Sequence, residues 1–286
     1  MIFGLAAALG WGCSDLLAAI TSRRVGSRAT VLVAQYVGLL GFGVLWLITS
    51  PPWTLPLHDV LLLLGSGCFA GVAYFALYRG LELGPVVLVS PIASAFASVT
   101  VILAVVFLGE SLGGVVLAGI VLTLVGVILA SADLHRFELE AKRHLRGLPY
   151  ALAAMVGFGI AAFASGSLAK RYGWLGPITV SRIGSLVLIS AVILATRGAD
   201  GVRMRRLSPA AVALASAVGL TDIVGIAAYA RGAELGLVSI VAAASATFTL
   251  IPVAGGVLLF GERPAANQII GVVLVIAGLM MLGLGS

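Results

Sequence analysis

The run from Arg79 to Glu110, RGLELGPVVLVSPIASAFASVTVILAVVFLGE, is written a second time from Arg231 to Glu262 as RGAELGLVSIVAAASATFTLIPVAGGVLLFGE. The offset is a constant 152 residues without a gap, and it holds on through Gly119/Gly271 and Gly126/Gly278. From Arg79 to Gly126, 16 of 48 positions are identical, more than a shared enrichment in Gly, Ala and Val produces in one register. This is an internal duplication, so the chain must fold as two related units. The first two helices of each half correspond more weakly at an offset of 147, with Gly10, Trp11 and Gly12 against Gly157, Phe158 and Gly159, and Gln35 against Arg182.

What those units are follows from their solvent. With 61% apolar and 10% charged residues, the chain lacks the polar surface of a water-soluble globule, which needs about a quarter charged residues. Apolar runs bounded by charge, Pro or Gly predict helices at roughly 2–21, 29–49, 58–79, 86–107 and 112–131, then 148–169, 176–196, 209–230, 237–260 and 265–284. Period-two alternation is absent, which argues against a barrel. The expected fold is therefore an all-α integral membrane protein of ten transmembrane helices. Residues 1–132 form one five-helix repeat, 133–147 a charged linker and 148–286 the second repeat. An odd number of helices per half makes the second enter the membrane from the opposite side, giving the inverted repeats of alternating-access transporters.

The net charge of +6 resides mostly in short loops, where it orients helices, so no nucleic-acid partner is implied. With both termini outside, the inner loops hold thirteen basic residues and the outer loops three, Lys170, Arg171 and Arg231. Cys13 and Cys68 lie in apolar runs without CxxC or Cys/His spacing, so neither a disulfide, a metal site nor a cofactor is expected. The opening run lacks a basic n-region and a cleavage site, and reads as a first helix.

The chain resembles the EamA-type permeases of the drug/metabolite transporter superfamily. The resemblance rests on the five-plus-five order, Trp11-Gly12 in the first helix, RGLELG and RGAELG after the third and eighth, and LGE and FGE closing the fourth and ninth. It implies a secondary carrier of the cell membrane, with a small-molecule substrate and no enzymatic activity, many members being exporters of amino acids and other metabolites. It also implies both termini in the cytoplasm, opposite to the charge count.

A charge inside the bilayer costs a few kcal/mol, so each needs a partner, a wet cavity or a function. Asp15, Arg182 and Asp222 fall within predicted helices. Arg182 and Asp222 lie at similar distances from the loop joining the seventh and eighth helices, which permits an ion pair. A structural lock and a substrate or coupling role are both open. Asp15 sits one turn past Trp11, and Gln35 matches its depth across the first loop. A carboxylate beside a neutral amide suits a coupling proton, while the structural alternative is a cavity-mouth position or an arginine partner. Ser90, Ser94 and Ser98 form an i, i+4 hydroxyl stripe answered by Ser245 and Thr249, placed on the central pathway, although such hydroxyls also bond back to their own helix. Tyr74, Tyr78 and Tyr229 could stack on a substrate or simply pack. Glu82, Glu234, Glu110 and Glu262 stand at helix ends, where the expected role is to cap the next helix.

No HExxH, GxSxG, Walker or GxGxxG motif is present. The expected function is gradient-driven transport of small polar metabolites, amino acids first. The alternatives are a multidrug or quaternary-amine exporter of the same fold and, from another class, an intramembrane aspartyl protease using Asp15 and Asp222.

Overall fold

The computed structural model describes residues 1–49, 51–84, 86–131, 141–196, 208–251 and 265–285, and every regular element among them is helical. In chain order these are α1 (Ile2–Val25), α2 (Ser27–Thr49), α3 (Leu57–Leu83), α4 (Val86–Ser94), α5 (Phe96–Leu108), α6 (Gly114–Ser131), α7 (Ala141–Tyr172), α8 (Leu175–Thr196), α9 (Pro209–Leu235) and α10 (Val238–Ser245). A 3-10 turn, Ala246–Thr249, follows α10, and α11 is Ala266–Gly285. Six of them, α1, α2, α3, α7, α8 and α9, are long and apolar enough to cross a membrane.

Local chemistry sets the ends. α1 stops at Gly26 (φ 90°) and α5 at Gly109 (φ 62°), whose N–H closes on the Ala104 carbonyl; only glycine adopts such angles without strain. α9 opens on Ser208, whose hydroxyl accepts the Ala211 N–H at 3.2 Å, followed by Pro209 at the first helical position.

Two expectations need correction. The fourth helix, predicted unbroken over 86–107, is interrupted at Ala95, where the ladder tightens to Ala95 N–H on Ile92 O and Ser98 N–H on Ala95 O. The second half tightens at the corresponding place, the 3-10 turn Ala246–Thr249. Pro91 and Pro252 flank these sites from opposite sides, so neither proline by position alone announced the break. The helix predicted to begin at 148 also begins earlier, at Ala141. The last part of the predicted ninth helix, beyond residue 251, lies outside the described residues.

Lipid tails give helices no hydrophobic reason to associate, so contact depends on small residues that let backbones approach. The contacts are reciprocal between the halves. α1 packs on α9 and α3 on α7. A Cβ added to Gly10 would collide with the backbone of Gly225, and one added to Gly157 would stand 2.9 Å from Ala73 Cβ, with Gly157 and Gly225 the duplicates of Gly10 and Ala73. Gly67 backs onto the Ser181 carbonyl as its duplicate Gly219 backs onto that of Ala34, itself the counterpart of Ser181. α6 and α11 cross through their own duplicated glycines, Gly119 against Gly278 and Gly126 against Gly271.

Candidate functional site

The helices enclose a central cavity of about 110 Å³, lined from α1, α3, α7, α8 and α9 and from the two interrupted helices. At about 10–15 Å³ per water, it holds several waters or a small ligand. Its walls are largely aromatic. Trp11 meets Phe96, Tyr229 and Phe248 with ring centroids 5.7, 5.6 and 6.3 Å away, and Tyr74 meets Phe158 edge to face at 4.8 Å.

Three charged side chains reach this cavity, all buried. Arg182 and Asp222 form the ion pair that the hairpin depth allowed. The arginine also donates Nη1 to Gln35 Oε1 at 2.8 Å and lies across the rings of Phe42 and Tyr74, 5.7 and 5.4 Å from their centroids. Asp222 accepts the Tyr74 hydroxyl at 3.0 Å, and Ser185 adds a bond to Gln35 Oε1 at 3.1 Å. Stacking and charge-assisted hydrogen bonds hold the guanidinium through its two terminal nitrogens, while Nε is buried without a hydrogen-bond partner, in a buried pair that would otherwise cost several kcal/mol.

Asp15 is held differently. Its Oδ2 accepts the Ser90 hydroxyl at 2.6 Å, and among the described residues no cation is paired with it. The expected neighbour, Gln35, turns instead to Arg182 and Ser185, because the approach of α2 to α8 places its amide on the far network. Asp15 is thus a buried carboxylate with a neutral donor, facing an aromatic cavity.

The hydroxyl stripes divide. Ser90 joins the site through Asp15, whereas Ser245 donates back to Ala242 O at 2.8 Å, and Ser94, Ser98 and Thr249 lie outside the cavity lining. The break at Ala95 interrupts the face those serines would have shared. Tyr74 and Tyr229 line the cavity, Tyr229 donating to Ala162 O at 3.5 Å, and Tyr78 lines it beside Tyr74 at 6.2 Å.

Residues 1–132 match the model of the EamA-like transporter family. Over that stretch the chain is similar to that family. A solved crystal structure aligns with 100% of this chain and 98% of its own, with a TM-score of 0.77 and 18% identity, so the whole chain shares its fold. No curated protein matches it in sequence. With six helices long and apolar enough to cross a membrane, the chain is a multi-pass membrane protein.

Three aromatic residues of this cavity, Phe96, Phe158 and Phe248, are not among the site residues read from the sequence. The duplication held their signal: Phe158 is the counterpart of Trp11, and Phe96 and Phe248 are counterparts of each other.

Away from the cavity, two of the duplicated glutamates, Glu82 and Glu110, cap helices, but not the next ones in sequence. Glu82 accepts Ser27 N–H at 3.3 Å, where α2 begins. Glu110 crosses to the other half, taking Val238 N–H at 3.0 Å and Ser239 N–H at 3.3 Å at the start of α10, with the Ser239 hydroxyl and Lys170 Nζ at 3.2 Å. Burial pushes the Glu110 carboxyl up, and the Ser239, Val238 and Lys170 hydrogen bonds outweigh it and hold it below the usual range. Glu234 pairs with Arg231, and Glu262 lies outside the described residues.

Proposed function

We propose that this chain is a secondary transporter of small polar metabolites that carry an amino group, amino acids foremost, working by alternating access of two inverted five-helix repeats. The reciprocal contacts of duplicated residues support the inverted arrangement. Interrupted helices in corresponding places beside a central cavity are the device by which such repeats build a binding site. The chain has no nucleotide-binding motif, so the energy comes from an ion or substrate gradient.

The observation that carries the reading is Asp15, a cavity carboxylate bonded to Ser90 and without a cationic partner among the described residues. Such a group accepts either a proton or an ammonium, and the two exclude each other. Exchange of one for the other is coupled antiport. The aromatic wall around Trp11 favours a second reading, export of quaternary amines, since ring faces attract desolvated cations. Proteolysis by an aspartate pair is disfavoured, because Asp222 is committed to Arg182 and Tyr74 and cannot share a proton with Asp15.

Purified protein in vesicles tests this. Asp15→Asn should abolish flux driven by a pH gradient and spare substrate exchange at equal pH. Unchanged gradient-driven flux in correctly inserted Asp15→Asn removes Asp15 from the coupling. A growth-resistance panel of amino acids and quaternary amines separates the two substrate readings, and indifference to both sets counts against each.

A further inference from the structure

A second hollow, about 260 Å³ and almost wholly apolar, lies between α3, α7 and α8, outside the central cavity. Gly71, Ala76 and Ala153 provide its depth by lacking bulk, Phe75 and Leu188 its walls, and Val72 at 50% exposure borders its opening toward lipid. Its only hydroxyl-bearing lining residue, Tyr150, marks one end. There Tyr150 lies beside the Arg79 guanidinium, which is paired with Glu82 at 2.9 Å. Arg146, one turn before Tyr150 on α7, is exposed at the same end.

From this geometry we infer that the α3–α7–α8 groove is a binding site for one anionic phospholipid, its acyl chain in the groove and its phosphate on Arg79, Arg146 and Tyr150. Charge supports this occupant. The groove's polar end lies at the start of α7, on the side where the basic loops gather, and a basic mouth between helices on that side is how proteins select anionic headgroups. A neutral lipid would fill the groove but leave Arg146 unanswered. A helix from a second copy would need a wider trough than one lined end to end by three helices.

Native mass spectrometry of the delipidated full chain, titrated with phosphatidylglycerol or phosphatidylcholine of identical chains, tests the site. One phosphatidylglycerol should be retained more tightly by about five- to thirty-fold, since each basic residue near the membrane surface contributes about five-fold. In R79Q/R146Q that preference should fall to near unity while dependence on chain length persists, and Ala153→Phe should expel lipid of either headgroup. Tyr150→Phe, which keeps the ring, should give an intermediate preference if the double variant fails to fold. Equal retention of both lipids by the wild type marks ordinary annular lipid and overturns the proposal. So does an unchanged preference in R79Q/R146Q. Dimerisation that Ala153→Phe abolishes would assign the groove to a second copy.

Discussion

Gln35 and Arg182 hold corresponding places in the two halves of the chain, and they are hydrogen-bonded to each other, Arg182 Nη1 to Gln35 Oε1 at 2.8 Å. A residue meets its own duplicate only near an axis relating the halves, so this bond lies on the seam between them. There the duplicates have diverged, one neutral and one cationic, and the cation has recruited Asp222, for which the first half has Ala70.

Arg182→Leu should therefore cost about 3–5 kcal/mol by leaving Asp222 as a buried charge without its cation. Arg182→Leu/Asp222→Leu should recover most of that loss. Unfolding in detergent of the two single variants and the double variant forms the cycle, and additive losses would mean that the pair is not a unit.

Glu110 predicts a dependence on acid. Its folded-state pKa lies below its ordinary value, so the stability it contributes is complete above that ordinary value and disappears as pH falls through the folded one. Glu110→Gln should lower the melting temperature at pH 7 by an amount equivalent to about 1 kcal/mol. The gap between variant and wild type should narrow as pH drops below about 4.5, the usual glutamate range. A gap constant with pH would mean that shape, not charge, holds the end of α5 to the start of α10.

Two glycines two residues apart on α3, Gly65 and Gly67, should respond differently. A Cβ on Gly67 strikes the Ser181 carbonyl, whereas one on Gly65 meets nothing within 4 Å. Gly67→Ala should cost about 1–3 kcal/mol by prising α3 from α8. Gly65→Ala should be neutral or gain up to about 1 kcal/mol from the lost backbone freedom of the unfolded chain. Equal effects, read from detergent melting curves, would deny that α3 and α8 touch through Gly67.

Orientation divides the charge count from the family resemblance. The Arg23 guanidinium reaches the carbonyls of Leu81 and Gly84, each at 3.3 Å, so the first and third loops share a face, while Lys170 meets Glu110 at the other. By the sequence count, the loops assigned with the first and third hold thirteen basic residues and the others three, so that first face should be cytoplasmic. A reporter fused after Ser286 should then give a periplasmic or external signal. A cytoplasmic signal would reverse it.

Hydropathy alone located the six long spans, because a bilayer demands long apolar runs and little else does. The Arg182–Asp222 pair was legible because both residues belong to one hairpin, where depth can be counted from the loop. Gln35 was misread by the same method: its partners come from α8, and no local count reaches across halves. The break at Ala95 was illegible because it lies four residues past Pro91, with no glycine at the site. The aromatic wall was overlooked although the duplication had marked it, since Phe158, Phe96 and Phe248 look like ordinary apolar filling until their counterparts are compared.

The pairing of α6 with α11 bears on how the protein is made. α6 leaves the translocation machinery early, with Gly119 and Gly126 forming a groove whose complement among the described residues, Gly271 and Gly278, has not yet been synthesised. α1 waits likewise for α9, and α3 for α7. A half-finished chain in the membrane is therefore a set of unmatched surfaces rather than a completed domain. Assembly is committed only when the last helix arrives, and a stop codon before α11 should send the whole chain to quality-control proteases.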